Sequence, residues 1–179
     1  MYKSYAGIGS RETPPNILKI MNQVAKHLAA NGYILRSGGA NGCDLEFEYG
    51  CNRVNGLKEI YLPWSGFNNS NSKLIVKDKR AFEIAEKYHP YWSKLSQGAA
   101  KLQARNSHQI LGMDLNTPCE FVICYTKKGK MIGGTSQAMR IAKDYNIPIF
   151  NLGTYEDSED EFIIKELKKF LNENMKENK

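Results

Sequence analysis

Nowhere does the sequence run for the roughly 18 apolar residues that a membrane-spanning helix needs. Residues 1–15 (MYKSYAGIGSRETPP) also lack the apolar stretch of a secretory leader. A cytoplasmic protein with no membrane partner is therefore expected. Cysteine is sparse: Cys43, Cys51, Cys119 and Cys124 are the four in 179 residues, and no two form a CxxC pair. Histidine is sparser, at three. Zinc-type spacing is absent, no metal site or cofactor is expected, and the thiols read as reduced core groups. Two signatures are missing as well. No glycine loop carries the lysine of a Walker A motif, and Gly7-Ile8-Gly9-Ser10-Arg11-Glu12 does not fit the dinucleotide GxGxxG pattern. ATPase and dehydrogenase chemistry are thereby set aside.

What is present is an ordinary globular composition, 41% hydrophobic and 25% charged. A chain of this length makes one domain and buries about two thirds of its unfolded surface without a covalent staple. The net charge is +6, unevenly spread. Residues 156–179 hold 8 acidic and 5 basic side chains, so residues 1–155 carry 20 basic and 11 acidic, a net of +9. A basic body suits anionic partners such as nucleotides, nucleic acid or phosphorylated metabolites, but equally describes a solvated lysine-rich surface.

Hydrophobic spacing alternates between two periods along the chain. Strand-like runs occur at Tyr2–Gly7, Tyr33–Arg36, Glu59–Leu62, Phe121–Tyr125 and Ile147–Leu152. The fourth is apolar throughout, as in a strand buried on both faces. Between them lie helical patterns. The first has Thr13 as expected N-cap, Pro14 at the first helical position, and Ile17, Ile20, Met21, Val24 and Leu28 on one face. Others cover Asp44–Arg53, Gln137–Tyr145, Glu161–Met175 and most of Leu74–Gly112, with breaks at His89-Pro90 and Gly98. Pro63–Lys73 reads as a loop. Alternating elements of this kind predict an α/β Rossmann-like fold, a mostly parallel sheet with helices on both faces. The expected organisation is a domain over 1–155 with a helical insertion at about 63–112, and a terminal amphipathic helix within 156–179 packed on the same body.

In such sheets ligands bind beyond the carboxyl ends of the strands, and three glycine-bearing loops leave strand ends there. The first, Gly7–Arg11, offers free N–H groups near a helix start, a hydroxyl at Ser10 and a guanidinium fork at Arg11. The second, Ser37-Gly38-Gly39-Ala40-Asn41-Gly42, leads into Asp44, which reads either as a helix cap or as a carboxylate for a ribose hydroxyl or for chemistry. The third is Gly133-Gly134-Thr135-Ser136. Each loop also reads as a plain strand-to-helix turn. Arg105-Asn106, taken on its own, reads as an exposed polar pair on a helix. His89 and His108 read as structural. Trp64 and Trp92 lie near loops, where either packing or base stacking suits them; packing is preferred for Trp92.

Taken together, Gly9-Ser10-Arg11, Ser37-Gly38-Gly39-Ala40-x-Gly42-x-Asp44, Arg105-Asn106 and Gly133-Gly134-Thr135 resemble the Rossmann-like domain of DNA-processing protein A (DprA/Smf). More broadly they resemble the SLOG superfamily, which includes the LOG nucleotide phosphoribohydrolases. The resemblance covers about residues 4–152. It implies phosphate contacts at Ser10, Arg11, Gly38, Gly39, Arg105, Asn106, Gly134 and Thr135; the glycine loops themselves add Gly9, Ser37, Asn41, Gly133 and Ser136 as candidates. Where LOG enzymes carry a glutamate after this loop, the sequence reads Thr135-Ser136-Gln137-Ala138. An amide does not ionise or serve as a general base. Asp44 or Glu46, or Glu48 beyond them, would have to supply a catalytic carboxylate. Segment 63–104, with Trp64, Phe67, Tyr88, Tyr91 and Trp92 among lysines, is expected as a helical layer, with a lid or oligomer contact as the alternatives.

Three functions follow from these residues. The first is binding of a nucleotide or nucleotide-derived signal by a sensor or sponge, the type associated with phage–host conflict. The second is cleavage of the N-glycosidic bond of nucleoside monophosphates. The third is binding of single-stranded DNA. The missing glutamate favours the first. A homo-oligomer is also expected from the resemblance.

Overall fold

A computed structural model describes residues 3–175. Tyr2, with which the sequence reading opens the first strand, and residues 176–179 lie outside the described residues. Six strands form one parallel sheet: β1 (Ser4–Gly9), β2 (Ile34–Ser37), β3 (Lys58–Leu62), β4 (Leu74–Ile75), β5 (Phe121–Tyr125) and β6 (Ile149–Asn151). Their spatial order is β4-β3-β2-β1-β5-β6. The helices are α1 (Pro15–Ala30), α2 (Cys43–Asn52), α3 (Lys79–Tyr88), α4 (Gln97–Leu111), α5 (Thr135–Asp144) and α6 (Asp160–Asn174).

The two-residue alternation of a strand sorts the core into two layers. On one side Tyr5 of β1 and Phe121, Ile123 and Tyr125 of β5 meet α1, α2 and α6 through Ile17, Met21, Phe47, Ile163 and Leu167. On the other side Ala6, Ile8, Val122 and Cys124 meet α3, α4 and α5 through Ala81, Ala85, Ala104, Ile110, Ala138 and Ile141. All five residues of β5 are buried, in keeping with its unbroken apolar run. The four cysteines are free and buried.

Several local expectations are corrected. Thr13 does not cap α1: Pro14 holds that position, and the Thr13 hydroxyl donates to the Ser10 carbonyl at 3.0 Å and lies 3.1 Å from the Cys43 sulfur. Gly98 does not break a helix. It falls in the first turn of α4, where Ser96 caps through the Ala99 N–H, and a glycine there interrupts no interior packing. Asp44 does not cap α2, whose N-cap is Gly42. The two-residue strand β4 and the short 3₁₀ turn Phe67–Asn69 lie in segments read as helix and loop. Segment 63–104 contributes β4, α3 and the first half of α4, and both helices pack over the sheet.

The chain runs outward from β1 through β2 and β3 to β4, then returns across the sheet to β5 on the other side of β1. Strand order therefore reverses between β1 and β5. Turns leaving those two strands diverge onto opposite faces of the sheet and open a crevice at their carboxyl ends.

Candidate ligand-binding cleft

A cleft of about 500 Å³ fills that crevice, a volume within the range of small-molecule sites. The turn after β1 supplies Gly9, Ser10, Arg11 and Glu12; the β2–α2 connection supplies Ala40 and Asp44; the turn after β5 supplies Thr126, Lys127 and Ile132–Thr135. Helix α4 closes the remaining wall with Leu102, Gln103, Arg105, Asn106 and Gln109.

Arg105 and Asn106 are 8% and 5% exposed, so the exposed polar pair expected from the residues alone is overturned. Adjacent residues on a helix point about 100° apart, and here each reaches a different glycine turn. Arg105 Nη1 donates to the Gly38 carbonyl at 2.5 Å, and Asn106 Nδ2 donates to the Gly134 carbonyl at 3.0 Å. Helix α4 thus ties together the loops on either side of β1. Gly38 has to be glycine for this: a Cβ there would lie 2.4 Å from Gln109 Nε2 and 2.7 Å from Arg105 Cζ.

The sequence-predicted residues divide accordingly. Gly9, Ser10, Arg11, Asp44, Arg105, Asn106, Gly133, Gly134 and Thr135 surround one cleft. Ser37, Gly38, Gly39, Asn41, Ser136 and Glu46 are not among its lining residues. Ser37 is fully buried and donates to the Gly7 carbonyl at 2.6 Å, while Ser136 donates to the Gly133 carbonyl at 2.7 Å. Glu46 accepts from Asn22 Nδ2 and Glu48 from Lys58 Nζ. Gln103 and Gln109 line the cleft without having been singled out. Their spacing from Arg105 and Asn106 along one helix is the signal that could have found them. Trp64 is exposed and meets Phe67 edge-on, and the Phe67 ring lies beneath Arg105 at 5.6 Å. His108 stacks on Tyr61 and makes a 3.0 Å contact with the Gly112 carbonyl, a structural arrangement.

The cleft is electrically divided. Ser10 Oγ accepts the Glu12 N–H at 3.1 Å, which leaves its own proton free to donate. Arg11 and Lys127 are exposed lining residues, one from the turn after β1 and the other from the turn after β5. The first turn of α5 brings the Thr135 hydroxyl to the end of a helix whose leading N–H groups carry partial positive charge. Against these stand Glu12 and the buried Asp44. Burial raises the Asp44 carboxyl from 3.8 to about 6, opposed by the nearby Arg105 charge and by N–H groups of Ala40 and Gly9. Burial also pulls the Arg105 guanidinium down from its usual range, against the pull of Asp44. Its Nε is buried without a hydrogen-bond partner. Among the described residues no three His, Cys, Asp or Glu side chains are grouped to hold a metal ion.

No protein-family profile and no curated protein matches the sequence. Solved structures do match. The Moco carrier protein of Chlamydomonas rheinhardtii superposes with a TM-score of 0.56 at 15% identity, over 96% of this chain and 99% of that one. DNA processing protein A from Helicobacter pylori, whose structure concerns its single-stranded DNA binding mode, gives 0.57 at 20% identity over 93% and 81%. DNA processing protein A from Streptococcus pneumoniae gives 0.57 at 17% identity; the chain covers 63% of its length. The fold is thus the Rossmann-like one of DNA processing protein A, as the sequence resemblance implied. Among the described residues no helix is long and apolar enough to cross a membrane.

Proposed function

We propose that this chain binds a nucleotide or nucleotide-derived phosphorylated ligand in the cleft between β1 and β5, and holds it without turnover. The observation that carries this reading is Arg105: a buried guanidinium in the cleft wall with its Nε unpartnered. A buried charged donor left unpaired is costly, and an anionic oxygen in the cleft would satisfy it. Ser10, Arg11, Gly133, Gly134 and Thr135 are the other candidate phosphate contacts. They suit an anion through a free hydroxyl, a rim charge and a helix start. Gln137 supports binding over hydrolysis. Its Nε2 donates to the Ala85 carbonyl at 2.7 Å, so the side chain following the third loop is neutral and turned into α3.

A second reading, binding of single-stranded DNA, draws on the exposed Lys127, Lys128 and Lys130 in the turn after β5. One pair of calorimetric titrations, of a nucleoside monophosphate and of an oligothymidylate, across salt concentrations separates the two. A single nucleotide in the cleft gives a shallow dependence, whereas a polymer loses about 0.7 log units of affinity per log unit of salt for each phosphate contacted. Arg11→Ala should weaken the mononucleotide by about tenfold, equivalent to about 1.4 kcal/mol. As a rim substitution it should change stability by less than about 0.5 kcal/mol. Binding unchanged by Arg11→Ala, or a steep salt slope with the oligonucleotide alone, would overturn the nucleotide reading.

A further inference from the structure

Asp44 is the buried charged cleft residue that phosphate binding does not use, and an ionised carboxylate there works against it. It is 2% exposed, lines the cleft, and accepts the Ala40 N–H on Oδ2 at 3.2 Å. A carboxylate has about four acceptor sites, so the Ala40 and Gly9 N–H groups leave capacity over. Its position is fixed from several elements. Arg105 of α4 faces it with opposite charge, Glu48 and Cys43 of α2 lie near it, and Arg11 of the β1 turn acts on Arg105. Strands β2 and β5 flank β1, so their ends stand about 10 Å apart at ordinary strand spacing. Asp44 belongs to the β2 side and the Gly133–Thr135 turn to the β5 side. On the β5 side the cleft offers a helix start, a hydroxyl and Lys127, with no acidic lining residue.

Resting on the phosphate-binding reading above, we infer that Asp44 is the second anchor of the ligand: its carboxylate receives a sugar hydroxyl, while the phosphate lies between Arg105 and the Gly133–Thr135 turn. The ligand class narrows accordingly to a sugar phosphate, free or as part of a nucleotide, rather than a bare phosphate or a phosphate on an apolar group. Asp44 binds and orients in this role and breaks no bond. An ionised carboxylate accepts a hydroxyl proton strongly; a protonated one must give up part of that capacity. Discrimination for the sugar should therefore weaken as Asp44 protonates.

Two probes that share one phosphate monoester test this, ribose 5-phosphate and methyl phosphate, because the titration of the phosphate itself cancels in the ratio of their affinities. In the wild-type protein ribose 5-phosphate should bind at least about tenfold tighter at pH 7.5, a gap of about 1.4 kcal/mol. That ratio should shrink as pH falls below about 6. Asp44→Asn should collapse the ratio and abolish its pH dependence without weakening methyl phosphate, which no longer meets a like charge in the cleft. The wild-type pH series stands by itself should the variant fold poorly. Equal loss of both probes in Asp44→Asn, or a ratio indifferent to pH and to the substitution, would make Asp44 a purely structural group. Failure of both probes to bind the wild-type protein would instead sink the phosphate-binding reading together with this one.

Discussion

At the scale of single residues, the most informative group is one that the protein keeps at a cost. A carboxyl whose folded value is raised destabilises the native state once it must ionise there. Asp44 moves from 3.8 to about 6, so the folded protein holds its proton more tightly than the unfolded chain does. Stability linked to this group is therefore greatest at low pH and is lost as pH rises from about 4 through 6. The loss amounts to about 3 kcal/mol at most, from two pKa units at 1.36 kcal/mol each. Asp44→Asn mimics the protonated form. It should melt several degrees above the wild type at pH 7.5, and the gap should close as the pH falls toward 4. Thermal melts at the two pH values check this; a variant less stable than wild type at pH 7.5 would mean that the ionised carboxylate holds the β1 and β2 turns together. Arg105 and Asn106 belong to the same scale. Their type and order were legible in the sequence, whereas their burial was not, because it depends on where two distant glycine turns arrive. From Ala104 to Leu111 every residue of α4 is buried, so that half of the helix has no polar face to betray its orientation.

At the scale of elements, α4 acts as the clasp of the site. Asn106 holds the Gly133–Gly134 turn by its Gly134 bond, and Asn106→Ala would leave that carbonyl without its donor. A loss of about 1 kcal/mol in stability is expected, the worth of one such hydrogen bond. The accompanying loosening of the turn should weaken nucleotide binding about five- to tenfold, as read by a melt and a calorimetric titration on the same sample. Gly42 performs the matching task between α2 and the first turn. It sits at φ +83°, and a Cβ there would come within 2.6 Å of the Arg11 carbonyl oxygen and 2.7 Å of that of Ser10. Gly42→Ala should cost about 2 kcal/mol or more, because backbone on both sides resists displacement. It should also move Arg11 and so reduce affinity; a fully stable variant would show that the β1 turn can yield. The sequence revealed β5 to the residue and α1, α2, α5 and α6 to within one or two residues. It did not reveal β4, since two residues paired only through Tyr61↔Leu74 and Leu62↔Ile75 carry no periodic signal of their own.

At the scale of the whole molecule, the alternation of strands and helices was enough to announce a doubly wound parallel sheet and hence the end at which a ligand would sit. The order of strands was not available from local pattern, yet it is what locates the cleft. Only with β1 between β2 and β5 do the first and third glycine loops face each other. The second loop explains the partial legibility of the site. Its glycines suit a phosphate nest by sequence; in the fold the Gly38 carbonyl accepts from Arg105, for which its missing side chain makes room, and the Ser37 hydroxyl donates to the Gly7 carbonyl. The same residue types serve close packing and anion binding, and only tertiary neighbours separate the two uses. Under the proposed function the cleft retains an intact phosphorylated nucleotide. The most direct measurement mixes wild type and Arg11→Ala separately with a panel of nucleoside monophosphates, cyclic nucleotides and ADP-ribose-type compounds, filters off the protein, and quantifies each compound and free base by mass spectrometry. The wild type should deplete at least one compound and return it intact on heating, and Arg11→Ala should deplete it far less. Free base in the filtrate, or a full panel passing both proteins undiminished, would contradict it.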